Sequence, residues 1–136
     1  MSDVIVDTCI WSLALRRKTS KNQKASQELT LLINQNKAKI IGLIRQEILS
    51  GYSDLNRFEK LRHKLKAFPN EYVIDADYES AAIYSNVCRR KGIQGSHTDF
   101  LICAVASRLK MEIYTNDKDF DRYSNYLPIN LYRESK

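Results

Sequence analysis

Short β-branched runs alternate along the chain with longer segments whose apolar residues recur at helical spacing. Val4-Ile5-Val6 contains no polar residue, as expected of a strand buried on both faces, and ends abruptly in Asp7-Thr8. Ile10, Trp11, Leu13, Ala14 and Leu15 predict a short buried helix, with Trp11 in the core, and Arg16 to Lys24 an exposed basic loop. A helix from about Ser26 carries Leu29, Leu32 and Ile33 and stops at Asn36, before a second strand, Lys39-Ile40-Ile41, closed by Gly42. Leu43, Ile44, Glu47, Ile48 and Leu49 predict a short helix ended by Ser50-Gly51. Asp54 should cap an amphipathic helix through Leu55, Phe58, Leu61, Leu65 and Phe68, stopped at Pro69-Asn70.

Tyr72-Val73-Ile74 reads as a third strand, and Asp77 as the cap of a helix through Ala81, Tyr84 and Cys88 to Arg89-Arg90-Lys91. A turn from Gly92 to Thr98 launches the most apolar helix of the chain, Asp99 to Leu109, which should lie centrally against a sheet. Glu112 to Thr115 is a fourth strand, Asn116 to Asp121 a turn into a short helix, and Ile129 to Tyr132 an edge strand. Strands alternating with helices predict an α/β fold, a three-layer α/β/α sandwich with a mainly parallel sheet of four to five strands. Its 136 residues suit one domain, 1–136, able to bury about two-thirds of its unfolded surface.

Composition narrows the setting. A net charge of +6 and a pI near 9.3 favour a polyanionic partner, although the basic outer face of the helix from Leu55 (Arg57, Lys60, Arg62, Lys64, Lys66) reads as a solvated face rather than an RNA-binding one. Cys9, Cys88 and Cys103 lie in apolar segments without metal-ligand spacing and read as buried hydrophobes in a reducing compartment. With no leader-like start and no long apolar run, the expectation is a cytoplasmic protein without a membrane partner.

Candidate chemistry lies in the acids. Asp7 and Asp117 follow directly on strands and so belong at the carboxyl rim of the sheet, where open α/β folds bind ligands. Glu47 lies early in the helix after the second strand. Asp99 opens a helix that must descend the sheet, at ~1.5 Å per residue, to reach the base of the fourth strand. Asp99, Ile102, Cys103 and Ala106 fall on one helical stripe, and Glu47 shares a stripe with Leu43, Ile44 and Ile48, so both carboxylates are expected to face inwards. Asp7 also suits a helix cap, and that alternative stays open.

Basic residues are scarce beside these positions, with Arg45 and His97 the nearest in sequence. Two like charges ~4 Å apart repel by about 4 kcal/mol at an effective dielectric of 20, so four acids at one rim need compensation. Oxygen-only ligation selects a hard ion, Mg²⁺ or Mn²⁺, which binds phosphate and activates water for in-line attack on phosphorus. Phosphodiester hydrolysis is the expected chemistry.

Val6-Asp7-Thr8-Cys9-Ile10-Trp11, Glu47 in its short helix, His97 to Ala106, and Thr115-Asn116-Asp117-Lys118-Asp119-Phe120 occur in an ordered set spanning the chain. In that set the sequence resembles the PIN-domain family, and within it the VapC-type toxins of toxin–antitoxin pairs. The resemblance implies a Mg²⁺- or Mn²⁺-dependent endoribonuclease with strand order 3-2-1-4-5, acting on RNA, forming a homodimer and held inactive by a cognate antitoxin protein. It implies Asp7, Glu47, Asp99 and Asp117 as the acidic quartet holding metal, with Thr8 and Thr115 as hydroxyls orienting metal, water or phosphate. Asp119 shares the turn of Asp117, which is preferred as nearer the strand end; Asp119 is then an outer partner or helix cap. His97 reads as a loop residue. Arg16, Arg17 and Lys18 suit a phosphate backbone or a solvated loop alike.

Two rival classes remain. A non-catalytic RNA- or protein-binding module would use the acids as caps and would show no metal-dependent stabilisation or cleavage. A Mg²⁺-binding phosphoacceptor signalling domain would offer Asp75 as acceptor, but it needs paired acids after the first strand and a Lys after the fifth, and both are missing.

Overall fold

In the computed structural model, residues 2–15 and 23–134 are described. The expected basic loop therefore lies, from Arg16 to Asn22, outside the described residues. Five strands, β1 (Val4–Val6), β2 (Ala38–Ile41), β3 (Asn70–Glu71), β4 (Glu112–Tyr114) and β5 (Asn130–Leu131), form one sheet in the order β3-β2-β1-β4-β5. Every neighbouring pair is parallel. This is the strand order implied by the resemblance. It differs from the doubly wound order 2-1-3-4-5 of phosphoacceptor domains, which sets that rival aside.

Helices α1 (Thr8–Leu15) and α2 (Gln23–Asn34) connect β1 to β2, and α3 (Gly42–Ser50) and α4 (Leu55–Leu65) connect β2 to β3. Then α5 (Asp75–Arg90) and α6 (His97–Leu109) cross back to β4, and α7 (Asp119–Tyr123) leads to β5. The first two crossovers step one way along the sheet and the last two step the other way. Right-handed connections therefore put the two sets of helices on opposite faces. β1 is central, and its three residues are completely buried. Phe100 to Ala106 of α6 are all buried, as their apolar run predicts. Among the described residues, no helix is long and apolar enough to cross a membrane.

Several boundaries differ from the sequence reading. The third strand is Asn70–Glu71, not Tyr72–Ile74. Its register, Ile40↔Asn70 and Ile41↔Glu71, exhausts β2, and beyond that ladder Tyr72 is 84% exposed. Asp77 is not the residue preceding α5; Ile74 is. Asp77 sits one turn inside, accepting from the Ile74 N–H at 2.9 Å. Helix α6 likewise begins before Asp99, with Ser96 as its cap, and α2 starts at Gln23 rather than Ser26. Gly42 opens α3 rather than closing β2. Asp54 caps α4 as expected, accepting from the Arg57 N–H.

Candidate active site

The switch point of this sheet lies between β1 and β4, because the chain leaves β1 towards β2 but leaves β4 towards β5. Ligands of open parallel sheets bind outside the carboxyl ends of the strands at such a point. Asp7 follows β1 and Thr115-Asn116-Asp117 follows β4, and the Asp7 N–H donates to the Tyr114 carbonyl at 2.9 Å.

Side chains extend this juxtaposition. The Thr115 hydroxyl donates to Asp7 Oδ2 at 2.8 Å and accepts from the Asp117 N–H at 3.0 Å, so one hydroxyl ties the two acids together. Asp7 Oδ1 accepts from the Thr8 N–H at 2.8 Å, and the Thr8 hydroxyl donates to Glu47 Oε1 at 2.7 Å. Asp7 precedes α1, but an ordinary cap would reach the amides two or three residues on. Its carboxylate instead bonds the adjacent amide and the hydroxyl at the end of β4, and it is nearly buried, at 8% exposure. Thr115→Val is expected to lower stability by about 1 kcal/mol in urea unfolding, since it removes a donor from Asp7 and an acceptor from Asp117. An unchanged midpoint would mean that this tie is not needed to hold the rim.

Asp99 reaches the same place from α6. Its carboxylate is half-buried and accepts from the Tyr123 hydroxyl at 2.8 Å. Burial pushes the Asp99 carboxyl above its ordinary value; the hydrogen bonds with Tyr123 and Ser96 oppose this, and the charges of Asp7 and Asp117 push it further up. Asp99 therefore feels two other members of the quartet. Tyr123 is pushed up by burial and by this bond, so its phenol stays a donor.

Glu47 requires a correction: it is exposed, not turned inwards. Ile44 and Ile48 of its stripe are buried, but α3 begins at the rim of the sheet, so a long side chain on that stripe emerges beyond the core and meets Thr8. Arg45 does not neutralise it. That guanidinium is taken by Asn70 Oδ1 at 2.9 Å and by the carbonyls of Leu65 and Phe68. Among the described residues, no ion pair includes Asp7, Glu47, Asp99 or Asp117.

In the last turn, the capping contact belongs to Asp117, whose Oδ1 accepts from the Asp119 N–H at 2.9 Å. Asp119 is the first residue of α7, and its charge acts on Tyr123 alongside those of Asp99 and Asp117. His97 is exposed at the start of α6 rather than in the loop before it. Trp11 is core, donating from Nε1 to the Val6 carbonyl and packed edge-on against Phe68.

Two neighbours of the acids were not placed at the site by the sequence, and Cys9, expected as a buried hydrophobe, is only partly buried there. The Cys9 Sγ lies 3.5 Å from Asp7 Oδ2 and 3.4 Å from Thr115 Oγ1, and burial followed by the Asp7 charge pushes its thiol up. Tyr123 is the other. Cys9 is two residues from Asp7 and could have been found by proximity, whereas the bond from Tyr123 to Asp99 spans two helices and leaves no local signal.

Among the described residues, no three His, Cys, Asp or Glu side chains stand close enough together to hold a metal ion as a group. The fit lies in the chemistry of the donors: they are oxygens, Asp7 and Asp117 are joined through the Thr115 hydroxyl, and no cation among the described residues is paired to them. Mg²⁺ and Mn²⁺ are hard ions suited to such donors, and Mg²⁺ commonly takes one or two carboxylates and keeps several waters.

The sequence matches the PIN domain family over residues 4–126. No curated protein matches it significantly. Among solved structures it is similar to VapBC2 from Rickettsia felis bound to a DNA fragment from their promoter, at 16% identity and TM-score 0.76, covering 97% of this chain and 98% of that one. It is also similar to DNA-bound VapBC from Salmonella typhimurium, at 17% identity and TM-score 0.71, over 97% and 98% of the two chains. For FitAcB from Neisseria gonorrhoeae the identity is 16% and the TM-score 0.70, over 96% of each chain. At these identities the likeness is one of fold.

Proposed function

The chain belongs to the PIN-domain family, and from that premise we propose that it is a Mg²⁺- or Mn²⁺-dependent endoribonuclease, the toxin of a toxin–antitoxin pair. The observation that carries the hydrolase reading is the Asp7–Thr115–Asp117 tie at the β1/β4 switch point, with Asp99 close enough for its carboxyl to be raised by both acids. Asp7, Glu47, Asp99 and Asp117 would hold the ion, which when bound polarises phosphoryl oxygen and makes water a nucleophile at neutral pH.

The other roles belong to the chain. The Thr115 hydroxyl orients Asp7 and the backbone of Asp117, and the Thr8 hydroxyl orients Glu47. Asp119 stands behind the site as an outer partner. A chain charge of +6 favours the approach of a polyanion. The antitoxin partner is supported by the toxin–antitoxin complex from Klebsiella pneumoniae, which shares this fold. Homodimerisation is part of the same reading, resting on the family resemblance.

Purified protein is incubated with total RNA in Mg²⁺ or Mn²⁺, with and without EDTA, and the cut ends are mapped. Cleavage should stop with EDTA and return when Mn²⁺ is restored. Mn²⁺ at about a hundred times its Kd should also add about 2.7 kcal/mol to the stability of the folded protein. RNA left intact, together with an unfolding midpoint indifferent to metal, would overturn the nuclease reading in favour of a binding module.

A further inference from the structure

We propose that Tyr123 is a positioning residue for Asp99, its buried phenol fixing the direction in which that carboxylate faces a divalent cation. The inference rests on the metal-dependent reading above. Tyr123 is completely buried, and its hydroxyl donates to Asp99 Oδ2 at 2.8 Å. Its ring is held from two sides, tilted against Phe100 at 5.0 Å between centroids and edge-on to Phe120 at 5.1 Å. Phe100 directly follows Asp99 on α6, and Phe120 lies on α7 with Tyr123. The contact with Phe100 thus joins α7 to the helix that carries the acid, and the contact with Phe120 steadies the ring within α7.

Filling space does not explain the hydroxyl. A phenylalanine would make the same ring contacts without burying a polar group that must then find a partner. The loop before α6 is also shaped around it: a Cβ on Gly95 would overlap the Tyr123 hydroxyl and come within 2.7 Å of Phe100 Cζ. Only a residue without a side chain lets the chain pass there while the phenol reaches Asp99. With one oxygen pinned, the carboxylate has little freedom to rotate. Hydrogen-bonded partners behind ligating carboxylates act in this way, and losing one typically costs about 10–100-fold in metal affinity or activity.

The test is Tyr123→Phe, which removes one oxygen atom. Mn²⁺ is titrated calorimetrically into the wild-type protein and the variant, the metal-free melting temperatures are compared, and RNA cleavage is followed against Mn²⁺ concentration. The expected result is a loss of Mn²⁺ affinity of about 10–100-fold, with cleavage lost at low Mn²⁺ and recovered at saturating Mn²⁺. Equal Mn²⁺ affinity and equal metal dependence in the two proteins would overturn the proposal, whatever the melting temperatures, because a purely structural tyrosine would move only those. Wild-type protein that neither binds Mn²⁺ nor cuts RNA would instead sink the nuclease reading on which the proposal stands. Gly95→Ala, which keeps the phenol but displaces it, should lower the affinity too and add little to Tyr123→Phe in the double variant. Additive losses would show that the two residues do not act through one bond.

Discussion

Asp99→Asn is expected to reduce metal-dependent RNA cleavage by more than the ~100-fold that loss of an outer hydrogen-bonding partner costs, while leaving the metal-free protein folded. Three effects set the stability change. The carboxylate lies in the first turn of α6, where a negative charge contributes about 0.3–1 kcal/mol against the helix dipole, and that is lost. Against it, the variant no longer places a charge where burial disfavours one, and it no longer repels Asp7 and Asp117. The Tyr123 hydroxyl keeps a partner, since an amide oxygen accepts as a carboxylate does. The effects oppose each other, so the metal-free melting temperature should stay level or rise, and the stabilisation by Mn²⁺ should shrink in step with the activity. A variant that unfolds would show instead that Asp99 is a structural element of α6, and one that cleaves normally would remove it from the quartet. Asp7→Asn should abolish cleavage as well, but Asp7 accepts from both the Thr8 N–H and the Thr115 hydroxyl, so its stability is the less clean measure.

Much of this site could be read along the chain because its main signals are local. Val4 to Val6 admit no polar residue, so an acid directly after them had to stand at the rim of a buried strand. The stripe of Asp99 with Ile102, Cys103 and Ala106 likewise placed a carboxylate beside the packed side of α6, where it is half-buried. What could not be read depends on partners far away in sequence. Periodicity turned Glu47 inwards, but its exposure follows from where α3 meets the rim, and its bond to Thr8 spans 39 positions. Tyr72-Val73-Ile74 has the side chains of a strand, yet pairing is decided by where β2 ends, so Asn70–Glu71 takes the ladder despite weaker strand residues. Alternating strands and helices specify a parallel sheet, but the order 3-2-1-4-5 came from the resemblance alone.

Arg108→Met is expected to destabilise the fold by about 3 kcal/mol, the lower end of the range for breaking a buried ion pair. Asp77 is 1% exposed, and the Arg108 guanidinium grips both its oxygens, at 2.8 Å from Nε and 2.9 Å from Nη2, while also donating to the Tyr72 carbonyl. This clasp fastens the start of α5 to the end of α6, the helix that delivers Asp99 to the rim. The lower end of the range applies because the Arg108 side chain is about a third exposed and partly repaid by water. Burial pushes the Asp77 carboxyl up, but the Arg108 guanidinium and the Ile74 N–H outweigh it and hold the group below its ordinary 3.8. The native state therefore binds this proton less readily than the unfolded chain does. The resulting stability is fully present above the ordinary value and is lost as pH falls below 3.8 through the folded value. Without Arg108, only the Ile74 N–H is left to oppose burial, so the lowering of the carboxyl and the stability it contributes both shrink. The gap in unfolding free energy between wild type and variant should accordingly be widest near neutral pH and narrow once Asp77 is protonated in both proteins, as read from urea midpoints across an acid series. A gap independent of pH would mean that the arginine acts through the packing of its aliphatic stem rather than through its charge.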